Sequence, residues 1–250
     1  MERKAAYANL AKWFEYLNDD CGYENWSQYL ILKLEKFPLT CGLDVGCGGG
    51  WFTRAFTKHG YQMTGLDKSA EMLDFAQEQA FKMGARGEYL LGDITCFKTP
   101  KKFDFVTAIN DCVNYIPKQK LNAAFKNVYN ALNKGGVFLF DISSERKFLE
   151  KIANTVSVDD RDDVTYMSFN KSEEDGVTME VTLFAKRADG AYDRLDETHR
   201  QYRYSKTEIL AALEKKVLEE KIPFLGICIG MQILFEHSAE GDVDCLGWLK

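Results

Sequence analysis

The stretch "LDVGCGGG" (43–50) constrains this chain more than any other. It joins an apolar run, "CGLDVG" (41–46), to a helix-like segment, "WFTRAFTKHG" (51–60), closed by Gly60. Gly46, Gly48 and Gly50 permit a tight turn and let the backbone approach a ligand with no Cβ in the way. The helix beyond them opens with unpaired N–H groups. An alternating series follows. "YQMTGLD" (61–67), "EYLLGD" (88–93), "FDFVTAIN" (103–110) and "VFLFDIS" (137–143) read as further strands. "SAEMLDFAQEQAFKMG" (69–84), with Ser69 as N-cap and Gly84 just past its end, and "KQKLNAAFKNVYNALNKGG" (118–136) read as helices. Strands apolar along their length, alternating with helices, call for an α/β fold with a parallel sheet covered on both faces.

Upstream, Tyr7, Leu10, Phe14 and Leu17 recur at helical spacing, and Trp26, Tyr29, Leu30, Leu34 and Phe37 do so again. Two amphipathic helices are predicted, the second ended by Pro38. Past residue 155 the period becomes two. "VTYMSFN", "VTMEVTLFAKR" and "AYDRLDETHRQYRY", separated by "EEDG" and "ADG", predict three antiparallel strands. "SKTEILAALEKK" (205–216) returns to helix with Ser205 as cap. With no repeat or low-complexity linker, the strands read as an insertion (156–204) within one domain spanning 1–213.

Composition removes several functions. A net charge of −6 argues against a broad phosphate-binding surface, so no nucleic-acid partner is expected. The N-terminus lacks the uninterrupted apolar core of a signal peptide, and the most apolar stretch, around 222–235, is too short and too polar at Gln232 to span a bilayer. The seven cysteines form no CxxC pair and have no histidine at zinc spacing. No metal site and no membrane association are expected, and the cysteines read as reduced thiols of a cytoplasmic protein.

Two cofactor classes compete for a glycine loop after a strand. The dinucleotide pattern G-x-G-x-x-G would need glycine at 51, where Trp51 stands. What the chain carries is D-x-G-x-G-x-G, with Asp44 two residues ahead of the first glycine. Asp67 ends the second strand and Asp93, in "LLGDIT", follows the third. Each has a structural alternative: Asp67 as a cap for the helix at Ser69, Asp93 as a turn with Gly92. This arrangement resembles the cofactor motifs of class I S-adenosylmethionine-dependent methyltransferases. "YANLAKWFEYLNDDCGYENW" looks like the lid of small bacterial members, "FDFVTAINDCVNYI" like their fourth-strand motif, and "GAYDRLDETHRQYRYSKTEI" like the β-insertion that roofs the substrate site. The likeness runs from about residue 5 to 213. It implies a Rossmann-like methyltransferase sheet, S-adenosyl-L-methionine as cofactor and a small-molecule acceptor. It further implies that Asp44 serves the cofactor's ammonium end through water or backbone, and that Asp67 takes both ribose hydroxyls. Asp93 takes the adenine amino group, with Ile94 and Met72 covering the ring, and Asn110 joins Gly46, Gly48 and Gly50 in the cofactor site.

Methyl transfer from a sulfonium needs in-line approach and exclusion of water more than acid–base help. Asn110, Asp111, Cys112, Asn114 and Tyr115 follow the fourth strand and face the methyl group on this reading. Asp111 is a candidate to take or orient the acceptor's proton, Tyr115 a second, and His199 on the insertion a third. His199 between Arg200 and Glu197 equally suits a solvated ladder position, and Tyr202 and Tyr204 suit packing or a pocket wall. "NDCV" lacks the Asn/Asp-Pro-Pro-aromatic tetrad of many amino-methylating nucleic-acid enzymes.

The last part of the chain, 214–250, carries a different signature. "KIPFLGICIGMQILFEHSAEGDVDCLGW" (221–248) closely resembles the nucleophile segment of class I glutamine amidotransferases, in particular the glutaminase of imidazole glycerol phosphate synthase, with Cys228 as nucleophile. That family's histidine and glutamate lie far downstream of the cysteine, and His237 stands nine residues along a helix, about 13 Å away at the helical rise. The expectation is a strand–turn–helix without chemistry, joined to the first domain near 213–221 as in a chimeric chain. Alternatives are an amidotransferase component using Cys228, or a non-catalytic cofactor-binding remnant. The join leaves "VFLFDIS" as an uncovered sheet edge, unless "IPFLGICI" pairs there.

Overall fold

The computed structural model describes residues 3–214 and, beyond them, the backbone of three short strands, Phe224–Gly226, His237–Ser238 and Val243–Asp244. The elements used below are β1 (Lys4–Ala5), α1 (Phe14–Leu17), α2 (Tyr23–Leu34), β2 (Cys41–Val45), α3 (Trp51–His59), β3 (Gln62–Asp67), α4 (Ala70–Lys82), β4 (Glu88–Leu91) and β5 (Phe103–Ala108). They continue with α5 (Leu121–Ala131), β6 (Leu132–Phe140), α6 (Glu145–Lys147), β7 (Val156–Asp160), β8 (Val164–Glu173), β9 (Gly176–Lys186), β10 (Tyr192–Tyr202), α7 (Lys206–Glu214) and β11 (Phe224–Gly226).

Six strands form the central sheet in the order β11-β6-β5-β2-β3-β4, every pair parallel. Successive side chains on a strand point to opposite faces. Phe105, Val137 and Leu139 therefore meet α2 and α3 through Leu30, Leu34, Phe52 and Phe56. On the other face Val106, Phe138 and Phe140 meet α5 and α7 through Ala124, Phe125, Val128, Ile209 and Leu213. The local helix signals act as read. Ser69 Oγ accepts the Met72 N–H at 3.2 Å. Gly60 closes α3, and Ser205 forms a reciprocal cap with Glu208. Strand β2, first of the series, lies between β3 and β5, so the chain's two directions of winding part at its carboxyl end, where crevices form in such sheets.

Four expectations are corrected. The helix read over 118–136 ends at Ala131. Leu132 is already extended and pairs with Phe103, "NKGG" bulges out, and pairing resumes at Val137 opposite Phe105. Regular strand stops at Phe140 rather than 143, because Asp141 turns to bind the chain after β5. The insertion gains a fourth antiparallel strand, β7, and forms its own sheet, β1-β10-β9-β8-β7, by pairing with the N-terminus. The first N-terminal helix is replaced by β1, a 3-10 turn at Ala11–Trp13 and the single turn α1. Its apolar residues are packed as the spacing implied, Leu10 with Tyr7, Phe14 and Leu17 against Val164 and Leu183. The backbone there is claimed by Glu197, whose carboxylate accepts the N–H groups of Tyr7, Asn9 and Leu10.

At the far edge, Phe224–Gly226 pairs in parallel with Phe138–Phe140. The strand from the amidotransferase-like segment thus covers the edge of β6. Cys228 and the turn around it lie outside the described residues.

Candidate active site

The glycine loop and the ends of β3 and β5 surround a cavity of about 440 Å³, roofed by the N-terminal segment and β10. Gly46 leaves β2 at φ +66°, and a Cβ there would stand 2.3 Å from Cys112 Sγ. Only glycine fits both the conformation and the space. Gly46, Gly48 and Gly49 line the cavity. Gly50 does not. It precedes α3 at φ +80°, and a Cβ would meet Tyr89 Oη at 2.9 Å and Ala76 Cβ at 3.0 Å, so this glycine serves the turn and helix packing.

The three carboxylates converge on this cavity, each at or near a strand end. Asp44, 2% exposed, accepts the hydroxyls of Thr53 at 2.6 Å and Thr107 at 2.8 Å. Burial raises its pKa to about 6 against the pull of those hydroxyls. Asp67 accepts the Gly48 N–H at 2.8 Å through Oδ2 and the Ser69 N–H at 2.9 Å through Oδ1. Its carboxyl also titrates above the usual range because the surrounding chain strips part of its water away. Asp93 accepts the Thr95 N–H at 2.7 Å. Burial would raise its pKa, but the bonds from Thr95 and the charges of Lys68 and Lys120 outweigh it and hold it below the usual range. The structural roles foreseen for Asp67 and Asp93 are therefore present, Asp93 turning with Thr95 rather than Gly92. Each carboxylate oxygen has two acceptor sites, so one backbone bond leaves capacity for a ligand. Met72 and Ile94 are buried and face the same space.

The rest of the wall includes Asn110, Cys112 and Tyr115, with Tyr7, Phe14, Glu15 and Tyr23 from the N-terminal segment and Thr198, Arg200 and Tyr202 from β10. Asn110 and Asp111 both adopt left-handed backbone, φ +63° and +61°, with their N–H groups on the Asp141 carboxylate at 3.2 and 2.9 Å. This turn sends their side chains apart. Asn110 lines the cavity and donates to Tyr23 Oη at 3.1 Å. Asp111 is not among the cavity walls. It accepts Ser143 Oγ at 2.6 Å and pairs with Lys147 at 3.4 Å, on the side of the β6–α6 connection.

His199 is 4% exposed and stands behind the wall rather than over the cavity. Its Nδ1 is 3.2 Å from Tyr115 Oη, and its Nε2 is 2.9 Å from Glu197 Oε2. Tyr7 donates its hydroxyl to Tyr115 at 2.9 Å, and both phenols line the cavity. Tyr202 reaches the wall; Tyr204 is buried below it. Glu197 and the cavity role of Tyr7 were not foreseen. The period of two on β10 does place Glu197 and His199 on one face, a signal that was there to read. A further contact unseen in the sequence is the ion pair of Glu15 with Arg54, a residue 2% exposed that also bonds Gly49 O and so fastens the N-terminal segment to the glycine loop.

The model of a family described as "Methyltransferase domain" matches residues 43–136, and that of "Glutamine amidotransferase class-I" matches 198–244. "Putative methyltransferase YqeM" of Bacillus subtilis is 32% identical over 204 residues, 78% of this chain and 79% of that one. The crystal structure of an S-adenosylmethionine-dependent methyltransferase from Clostridium acetobutylicum is 31% identical, with a TM-score of 0.73 over 81% of this chain and 83% of that one. A short match of a different kind is to the imidazole glycerol phosphate synthase subunit HisH of Xanthomonas campestris, 72% identical over 29 residues, 12% of this chain and 14% of HisH. The glycine loop, the sheet order and the long relatives agree: this chain belongs to the S-adenosylmethionine-dependent methyltransferase family.

Proposed function

We propose that the chain binds S-adenosyl-L-methionine across the ends of β2, β3 and β4 and transfers its methyl group to a small-molecule acceptor held beneath the N-terminal segment and β10. The observation that carries this reading is the convergence of Asp67, Asp93 and the glycines Gly46, Gly48 and Gly49 on one cavity. The cavity wall suits that cofactor. Asp67 has free acceptor sites for the ribose hydroxyls, and Asp93 has them for the adenine amino group, between Met72 and Ile94. Asp44, whose two oxygens are bound to threonine hydroxyls, acts at the cofactor's amino-acid end by fixing the loop and its local charge. When bound, the cofactor supplies an electrophilic methyl group on a sulfonium. The chain's part is to orient the acceptor, exclude water and receive a proton, and we assign the last to Tyr7 and Tyr115, whose hydrogen-bonded phenols both line the cavity. Asp111, turned toward Ser143 and Lys147, is assigned to shaping the turn instead. The test is calorimetric titration with S-adenosylhomocysteine, for which micromolar-range binding is expected. Folded protein showing no binding would reject the reading.

A further inference from the structure

One carboxylate ties together the two elements that roof the cavity. Glu197, fully buried on β10, uses both oxygens twice. Oε1 accepts the N–H of Asn9 and that of Leu10, the latter at 2.7 Å. Oε2 accepts the Tyr7 N–H at 3.0 Å and lies 2.9 Å from His199 Nε2. Burial alone would raise its pKa, yet the bonds from His199, Asn9 and Leu10 bring it below the usual carboxylate range. An ionised carboxylate has no proton to give, so His199 must present N–H at Nε2 and a lone pair at Nδ1 when neutral. That lone pair faces Tyr115 Oη at 3.2 Å, and Tyr115 Oη in turn accepts Tyr7 O–H at 2.9 Å. The donors thus all run one way, Tyr7 to Tyr115 to His199 to Glu197. Tyr7 stands at φ +67°, where an aromatic residue is held only by surrounding contacts.

We infer that Glu197 is a positioning residue that sets the tautomer of His199 and clamps the Tyr7–Leu10 backbone, so that a proton path from the acceptor through Tyr7 and Tyr115 to His199 exists only with the N-terminal segment closed. The inference rests on the methyl-transfer reading. In the step it serves, the acceptor heteroatom's electron pair forms a bond to the methyl carbon, and the carbon–sulfur pair remains on sulfur as a neutral thioether. The acceptor's proton passes to Tyr7 Oη, Tyr7's to Tyr115 Oη, and Tyr115's to His199 Nδ1. The imidazolium so formed is neutralised by Glu197, and the proton returns to water when the segment opens. The groups facing His199 are Tyr7 from the N-terminal segment, Tyr115 from the turn after β5, and Glu197 on its own strand.

The test is nitrogen-15 NMR of the imidazoles in the full chain, free and with S-adenosylhomocysteine, at a pH where His199 is neutral. Only three histidines contribute, which keeps the spectrum assignable. Wild type is expected to show the Nε2–H tautomer for His199, with slow exchange of the Tyr7, Asn9 and Leu10 amides. Glu197→Gln, which can donate as well as accept, is expected to mix the tautomers and speed those amides by about tenfold or more. Tyr115→Phe keeps the packing and is expected to shift only the Nδ1 resonance, as that nitrogen loses its donor. An Nδ1–H tautomer in wild type, or an Nδ1 resonance indifferent to Tyr115→Phe, would overturn the relay even where S-adenosylhomocysteine binds. Failure of S-adenosylhomocysteine to bind, with the tautomer as expected, would instead overturn the methyl-transfer reading and leave the relay without its reaction.

Discussion

The Asp67 carboxylate accepts the Gly48 N–H at 2.8 Å, so the end of β3 and the glycine loop form one hydrogen-bonded unit. A single side chain thereby shapes the loop and lines the cavity.

Asp67→Ala removes both roles. The expected loss is about 1–3 kcal/mol of S-adenosylhomocysteine binding, as for hydrogen bonds to a charged group. Calorimetry on wild type and variant reads it, with circular dichroism confirming that the fold persists.

Gly46→Ala places a methyl 2.3 Å from Cys112 Sγ on backbone at φ +66°. The expected outcomes are loss of detectable cofactor binding and destabilisation of about 1–3 kcal/mol, measured by urea unfolding. Adding Cys112→Ala relieves the collision but not the backbone strain, so the double variant should recover only part of that stability.

Asp44 makes stability depend on pH. Its folded pKa is raised from 3.8 to about 6 by burial. A raised folded pKa means the native state holds its proton longer than the unfolded chain, so stability is fully present below pH 3.8 and is lost as pH rises to about 6. Relative to Asp44→Asn, wild type should lose roughly 2–3 kcal/mol between the two ends of that window, at about 1.4 kcal/mol per pH unit. Urea unfolding of both proteins at pH 4 and pH 7, about the ends of that window, measures the difference.

Removing residues 215–250 takes β11 away and bares β6, whose Phe138, Leu139 and Phe140 would then form the sheet's open edge. The truncated chain should unfold at lower temperature and aggregate on concentration, as seen by scanning calorimetry and light scattering. Equal stability of the two chains would show that β11 contributes nothing.

As a glutaminase the chain is expected to be inert. Ammonia release from glutamine should match that of Cys228→Ser, and a wild-type excess would revive the amidotransferase reading.

The parallel sheet was legible because each of its units carries its own punctuation. Ser69 and Gly84 bracket α4, and Gly60 closes α3, without help from distant residues. The meeting of the glycine loop with Asp44, Asp67 and Asp93 at one cavity was legible for the same reason, since loop and carboxylates sit at or near strand ends. The N-terminal segment was not, because its backbone is taken by Glu197, nearly two hundred residues away in sequence. The same distance hid the surroundings of His199, whose partners arrive from three parts of the chain. Asp111 pointed the wrong way for a different reason. The left-handed pair Asn110–Asp111 reverses the side-chain directions that simple extension of β5 implies, and the groups that enforce it lie after β6.

Three residues of extended chain, Phe224–Gly226, complete this sheet although they come from a stretch that matches another enzyme family. The rim of a parallel sheet reads only backbone shape and greasiness in its last neighbour, and is blind to ancestry. An outermost strand therefore needs only a short extended run in register with β6, a far looser demand than the one the cavity makes on the glycine loop at the sheet's centre.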